Sequence, residues 1–366
     1  MGSGAKEDCL ICLDRRADVN ISVQANASPS ATRFIRRLRL AYTFLPALVL
    51  LAGLSPGCSP ASVQLYSTTF PALGTLVRLT LEVPDSITAR HWVNQVSTEL
   101  TRIGYEFWEG EPNGALGRLN RERWTDSQEL ISLIQRAFEV TDLTDGAFDI
   151  RIGELMHSYG FVNIWSRPQP LDSLDLLIRA AQTLRFEPQA GGYRLTGSDA
   201  TLTLGGIAKG YAVDQCVRLL QQLGCRSGIV NAGGDLRVWG RPETEPWLIG
   251  VEDPETHELL AALALNEGGC ATSGSYRNRY LANGDTIHHL IEPRSGLPAK
   301  GKMSVTVTAP SCELADALAT GMFIMPLHAA LALADSLQGV GLLVLSNEPA
   351  LHQDDDMARL RSAAGE

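Results

Sequence analysis

Leu204-Gly-Gly-Ile-Ala-Lys-Gly-Tyr-Ala-Val-Asp214 sets a glycine pair, a lysine and a third glycine between an apolar strand-like run and a helix-forming segment. Such a connection aims bare backbone amides and one cation at an anion. A tight strand-to-helix turn with no ligand has the same composition, so both readings stand on this stretch alone. Gly-Lys-Ser/Thr is absent, and so is Gly-x-Gly-x-x-Gly, which sets aside Walker and Rossmann loops.

On either side, elements alternate irregularly. Thr75-Leu-Val-Arg-Leu-Thr-Leu-Glu-Val83 alternates as a strand does. Trp92, Val96, Leu100 and Ile103 share one face of a helix over residues 91–103, and a second helix is predicted over 127–143. Residues 171–184 break into short helical pieces, and Tyr193-Arg-Leu195 with Ala200-Thr-Leu-Thr-Leu204 reads as a hairpin. Gly228-Ile-Val-Asn-Ala-Gly-Gly-Asp-Leu-Arg-Val-Trp239 reads as a strand whose glycine pair lets backbone approach a ligand. Strands follow over 247–251, 260–265, 303–309 and 342–345; alternation in Ser304-Val-Thr-Val-Thr308 predicts one half-buried face. A helix starts at Pro310-Ser311 and ends at Pro326. The fold class is therefore α+β, with mixed, largely antiparallel sheets and packed helices.

The chain has 366 residues, 45% apolar and 20% charged, with formal net charge -10. It is globular, and no general affinity for nucleic acid is expected. Arg33, Arg36, Arg37 and Arg39 precede an apolar run over 40–54, roughly fifteen residues against the ~20 that span a bilayer. With Ser55-Pro-Gly-Cys58 behind it, this reads as a secretory signal. The Gly-Cys end resembles a bacterial lipoprotein processing site, where Cys58 is acylated; an uncleaved anchor is the rival. Residues 1–32 exceed what a signal needs, and a misplaced start site accounts for them. Four parts are expected: an extension and signal at 1–57, a tether at 58–66, a catalytic domain at 67–346 and a loose polar tail at 347–366. Cys9 and Cys12 lack partners for a zinc site. Cys216 on the predicted helix and Cys225 just beyond its end lie too far apart along the axis to bridge and are expected to be buried free thiols.

Asp316 and Thr320 lie four apart on the predicted helix, so both oxygens leave one face. They are hard ligands of the kind Mg²⁺ accepts; an acid in a first helical turn is also ordinary. His288 and His289, adjacent on a strand, face opposite ways, and Glu292-Pro-Arg-Ser-Gly296 follows as a rigid turn carrying an acid and a cation. Ala271-Thr-Ser-Gly274 offers two hydroxyls at a strand end without the Gly-x-Ser-x-Gly of a serine hydrolase. Phe148 and Asp149 read equally as a stacking surface with an acceptor or as a core aromatic with a helix-end acid.

Taken together, the 204–214 stretch, Asn231-Ala-Gly-Gly-Asp235, Ala271-Thr-Ser-Gly274, His288-His-Leu-Ile-Glu-Pro-Arg-Ser-Gly296 and Ala315-Asp-Ala-Leu-Ala-Thr320 resemble the ordered motifs of the ApbE family. Leu73-Gly-Thr75, Gly117-Arg-Leu-Asn120 and Gly146-Ala-Phe-Asp149 fit as well, so the resemblance covers residues 70–325. The family comprises FAD:protein FMN transferases, bacterial envelope enzymes that use Mg²⁺ and are often lipoproteins. The resemblance implies transfer of FMN from FAD to an acceptor threonine through a phosphoester bond, with AMP leaving. The implied acceptor is a flavoprotein such as a membrane electron-transfer subunit carrying an Asp-x-x-Thr-like segment. It implies magnesium held by Asp316, Thr320 and the Gly206 carbonyl. It also implies flavin-nucleotide contacts from Leu73, Ala147, Phe148, Asp149, Thr203, Lys209, Thr272, Ser273, His289, Leu290 and Ile291. His289 is the first candidate for general base and Asp316 the second. Methionine is frequent in the family at Leu73, and aspartate at Thr203 and at Glu292. The missing acid at Thr203 touches one adenine- or ribose-side contact. Two rival functions are a Mg²⁺-dependent FAD pyrophosphatase and a non-catalytic FAD-binding lipoprotein.

Overall fold

The computed structural model describes residues 64–162, 174–241, 245–282, 284–347 and 350–364. The basic and apolar leader and Cys58 lie outside them. No helix among the described residues is long and apolar enough to cross a membrane.

Gln64–Ala72 (β1) and Thr75–Val83 (β2) form a hairpin across Leu73 and Gly74, whose φ values are +52° and +70°. Two positive φ values give the turn whose twist matches paired strands, and leucine in the first place is strained. β1 begins at Gln64, paired with Val83, so the expected tether is already sheet there. Asp85 caps Ser86–Phe107 (α1) by accepting from the Ile87 and Thr88 amides, and the predicted stripe of Trp92, Val96, Leu100 and Ile103 is buried. Ala115–Glu122 (α2), Trp124–Thr125 (β3), Gln128–Leu143 (α3) and Gly153–Ser158 (α4) follow. Leu174–Thr183 (α5) is one helix rather than short pieces.

The expected hairpin between 193–195 and 200–204 does not form. Arg185–Gln189 (β4) pairs with Gly192–Thr196 (β5) instead. Residues 200–204 join no strand; side chains and a loop satisfy their backbone. Asn120 exchanges two 2.8 Å hydrogen bonds with Leu202, Arg123 donates to the Ser198 and Ala200 carbonyls, and the Thr203 amide donates to the Ile150 carbonyl.

Ala208–Gln222 (α6) leads to Gly228–Ala232 (β6) and Asp235–Trp239 (β7). These two are a hairpin, and the glycine pair is its turn, with φ +64° and +101°, not a gap in one strand. Next come Trp247–Glu252 (β8), Leu259–Leu265 (β9), Gly268–Gly274 (β10), Arg279–Ala282 (β11) and Asp285–His288 (β12). Lys302–Ala309 (β13), Cys312–Ile324 (α7), Leu327–Ser336 (α8), Gly341–Ser346 (β14), Leu351–Gln353 (β15) and Asp355–Ala364 (α9) complete the order.

The main sheet has eight strands in the order β1-β2-β6-β7-β10-β13-β14-β15, and each pair is antiparallel. One face carries α1, α6 and α7 over a core that includes Leu79, Val230, Ala271, Val305 and Val307. The other buries Ile229, Leu236, Val238, Cys270 and Leu343 against the β8–β9 hairpin and Met357 of α9. With both faces covered, Ser304, Thr306 and Thr308 are buried along with Val305 and Val307, against the expected half-buried face. The 347–366 tail is not loose over its described part: β15 extends the sheet and Met357 is 0% exposed. Its few apolar residues at helical spacing suffice, since one buried side chain of this size stabilises by about 1.5–3 kcal/mol.

Candidate active site

The glycine loop ends at the first turn of α6, and this turn meets the first turns of α7. Gly210 permits the contact: a methyl group there would stand 2.3 Å from the Cys312 carbonyl oxygen. The Gly210 amide donates to Asp316 Oδ2 at 3.0 Å. Early helix amides lack intrahelical partners, and a carboxylate from the neighbouring helix takes this one. Asp214, one helical turn further along α6, accepts from the Cys312 and Glu313 amides at 3.1 and 2.9 Å and from Arg237 at 2.8 Å. At the other end of α7 the Lys302 ammonium donates to the Phe323 and Met325 carbonyls. The helix that carries Asp316 and Thr320 is thus held at both ends.

Lys209 is the cation of the loop. Its ammonium pairs with Asp235 and lies 3.6 Å from Asp316 Oδ1. Asp235 and Asp316 are 2% and 4% exposed. Burial raises Asp316 above the ordinary carboxylate range, opposed by Lys209 and reinforced by Asp235. Across this cluster, Ser273 lies 3.3 Å from Thr320, hydroxyl to hydroxyl. A methyl on Gly206 would stand 3.1 Å from Thr320 Oγ1 and 3.1 Å from Phe148 Cε2. Because the Gly210 amide turns to Asp316, the Gly206 carbonyl has no hydrogen-bond partner among the described residues. Gly206, Asp316, Thr320, Ser273 and Lys209 therefore come together.

The two histidines differ. His288 accepts the Leu290 amide on Nδ1, bonds the Ala299 carbonyl through Nε2 and packs edge-on against Phe323. It is a structural residue. His289, just past the end of β12, is half-buried beside the Phe161 ring. The imidazole donates to the Arg277 carbonyl, and Nδ1 is buried with no partner. That assigns Nδ1 the lone pair. Burial, then His288 and Lys209, push the imidazole down to about 4.

Other expected contacts are placed differently. Phe148 is 3% exposed and packs against Gly206 and Gly321, so it supports the loop and offers no stacking face. Asp149 is bound by both arms of Arg151, and Ala147 is half-buried in the turn before it. Thr272 turns to the opposite sheet face from Ser273 and meets Thr306 at 2.9 Å, as alternation along β10 requires. Leu290 and Ile291 bury their side chains, which leaves only backbone for a ligand. Glu292 accepts from Ser295, and Arg294 reaches Asp145, so the expected polar anchor ties its own turn to the end of α3. Leu73 packs on Gly104 of α1, and its hairpin meets the Gly233 turn, where a methyl would stand 2.3 Å from Thr75 Oγ1. Thr203 donates to Glu109 Oε1 at 2.6 Å, so an acid from the α1–α2 loop stands beside the position where the family carries one. Burial raises Glu109 above its ordinary value.

Asp235, Asp214, Arg277 and Glu109 have no role in the sequence reading. Asp235 and Asp214 lie in its motifs, but a motif does not say which helix end a carboxylate will cap. Glu109 and Arg277 sit in loops without local pattern.

The ApbE family profile matches residues 73–344. The FAD:protein FMN transferase of Salmonella typhimurium is 30% identical over 283 residues, covering 73% of this chain and 79% of that protein. The protein of that name from Vibrio cholerae is 28% identical over 317 residues, covering 83% and 93%. Among solved structures, the ApbE protein of Thermotoga maritima matches with TM-score 0.74 and 29% identity over 81% of this chain and 99% of that one. The Vibrio cholerae flavin transferase ApbE, at 24% identity and TM-score 0.69, shares the fold over 81% of this chain and 99% of its own. Matched over most of its described length, this chain belongs to the ApbE family.

Proposed function

We propose that this chain moves FMN from FAD to a threonine hydroxyl of an acceptor flavoprotein and releases AMP. That it is an FAD:protein FMN transferase rests on its family and on curated relatives of that name. The observation that best supports the chemistry is the Lys209 ammonium held between Asp235 and Asp316 where two helix N-termini meet. Positive partial charges, a cation and buried carboxylates at one point suit a phosphoryl group with a divalent ion.

Among the described residues no three His, Cys, Asp or Glu side chains form a metal cage. The donors fit Mg²⁺ in another way: one carboxylate from Asp316, the Thr320 hydroxyl and the unpartnered Gly206 carbonyl are all hard oxygens, with water and phosphate left to complete the set. When bound, the ion neutralises charge on phosphoryl oxygens and on the leaving group. Lys209 supplies a second cation for a phosphoryl oxygen, and Ser273 a hydroxyl beside Thr320. The acceptor hydroxyl oxygen bonds to the phosphorus on the flavin side. The bond from that phosphorus to the bridging oxygen breaks, and AMP leaves with that oxygen. The hydroxyl proton passes to Nδ1 of His289, the buried nitrogen with a free lone pair.

The proposal extends to location. The enzyme sits on the periplasmic side of the bacterial envelope, held by acylated Cys58 or by an uncleaved signal anchor, and it serves membrane electron-transfer subunits. Palmitate labelling of wild type and Cys58→Ala tests the anchor; equal labelling removes it.

The reaction is tested by intact mass of an acceptor domain incubated with the enzyme, FAD and Mg²⁺. A gain of one FMN on a threonine supports the reading. AMP and FMN formed with an unmodified acceptor would make the enzyme a pyrophosphatase.

A further inference from the structure

Arg277 lies beyond β10, in the loop between Gly274 and β11. Nη1 donates to the Gly233 carbonyl at 2.6 Å, and a methyl on Gly234 would stand 3.2 Å from Nη2. The guanidinium therefore rests on the turn whose next residue, Asp235, holds Lys209. Tyr276 is its other polar neighbour. Among the described residues it makes no ion pair with a carboxylate, and Nε is buried without a hydrogen-bond partner.

The unpartnered atoms cluster. Arg277 Nε and His289 Nδ1 are two of the four buried side-chain nitrogens and oxygens left without a partner among the described residues. Their residues touch, since the His289 ring donates to the Arg277 carbonyl. The Arg277 charge also acts on Lys209. Asp235 and Asp316 both turn to Lys209, and neither forms an ion pair with Arg277, so the Nε edge of the guanidinium is left without a protein partner. An arginine edge of Nε and Nη2 matches two oxygens of one phosphate.

Resting on the reading of this site as one that takes FAD, we propose that Arg277 binds the pyrophosphate of the dinucleotide through its Nε edge. Gly233 and Tyr276 hold the guanidinium in place for that contact. The arginine backbone meanwhile fixes the His289 tautomer, so nucleotide binding and proton acceptance are set by one loop.

Arg277→Gln and Arg277→Lys separate this from a structural role, because neither alters the carbonyl that orients His289. The measurement is equilibrium binding of FAD and of riboflavin, which lacks phosphate, by flavin fluorescence with Mg²⁺ present. Arg277→Gln should weaken FAD binding by about tenfold or more, the scale of a charge-assisted hydrogen-bond pair, and leave riboflavin binding within about twofold. Arg277→Lys should recover part of the FAD affinity with an unchanged melting temperature. FAD affinity equal to wild type in Arg277→Gln, or a parallel loss of riboflavin, would overturn the assignment. Failure of the wild-type protein to bind FAD would instead overturn the reading of the whole site.

Discussion

The amide of Gly210 donates to Asp316 Oδ2 at 3.0 Å, so the carboxylate buried by α7 is held by the first turn of α6. The positions of both the Asp316 carboxylate and the Lys209 ammonium therefore depend on how closely two helices approach. Asp214 and Arg237 fix that approach from the flank, through the α7 amides.

Gly210→Ala should be far more damaging than Gly206→Ala. A methyl at Gly210 meets backbone at 2.3 Å, whereas at Gly206 it meets side-chain atoms at 3.1 Å. Forcing α6 from α7 is expected to cost about 1–3 kcal/mol, the usual scale of overpacking, with loss of transfer. Thermal melts of both variants check this, and equal melting temperatures would show that the helices slide freely.

Asp316→Ala should abolish transfer and remove the effect of Mg²⁺ on melting temperature. Thr320 and a carbonyl are neutral donors and cannot balance a divalent charge alone. Titrating wild type and variant with Mg²⁺ decides the matter. Wild-type turnover by the variant at ordinary metal concentrations would place the ion elsewhere.

The site was legible in the sequence where local pattern and chemistry coincide. Lys209, Asp316 and Thr320 follow from motif and helical spacing, and the structure brings them together with Ser273 and Gly206. What could not be read depends on tertiary partners. Residues 200–204 look like a strand, yet Asn120 and Arg123 hold them. The β13 threonines look half-exposed until the β8–β9 hairpin and α9 cover them. Phe148 and Asp149 allow two readings in the sequence, and only the fold shows Phe148 lying against Gly206 and Asp149 paired with Arg151.

Met357→Ala should destabilise by about 2–5 kcal/mol, as loss of a fully buried side chain does. A loose tail would instead give a change within about 0.5 kcal/mol. Denaturant melts separate the two. A negligible effect would mean that α9 does not seal the second sheet face.

The pH dependence of stability should report His289. Its folded-state value of about 4 lies below the usual 6.5, so between those values the unfolded chain binds more protons. The contribution is complete above pH 6.5 and is lost as pH falls toward 4. Melting temperature of the wild type should thus fall more steeply across that window than that of His289→Asn. Parallel curves would show a solvated ring.

His288→Ala and His289→Ala should fail in different ways. His288 bonds the Ala299 carbonyl at 2.9 Å, accepts the Leu290 amide at 3.3 Å and packs on Phe323, so its loss should lower stability first. His289 lies half-buried beside Phe161 and presents an unpartnered Nδ1, and its low pKa keeps that nitrogen unprotonated at neutral pH. A general base contributes roughly 10²–10⁴-fold, more than one ligand contact among many. Single-turnover FMN transfer should therefore drop by that order in His289→Ala, with FAD affinity nearly intact and melting temperature little changed. His288→Ala should keep most of its turnover at temperatures where it remains folded. If both variants lose turnover equally, or if His289→Ala loses only FAD affinity, the proton goes to Asp316 or to water.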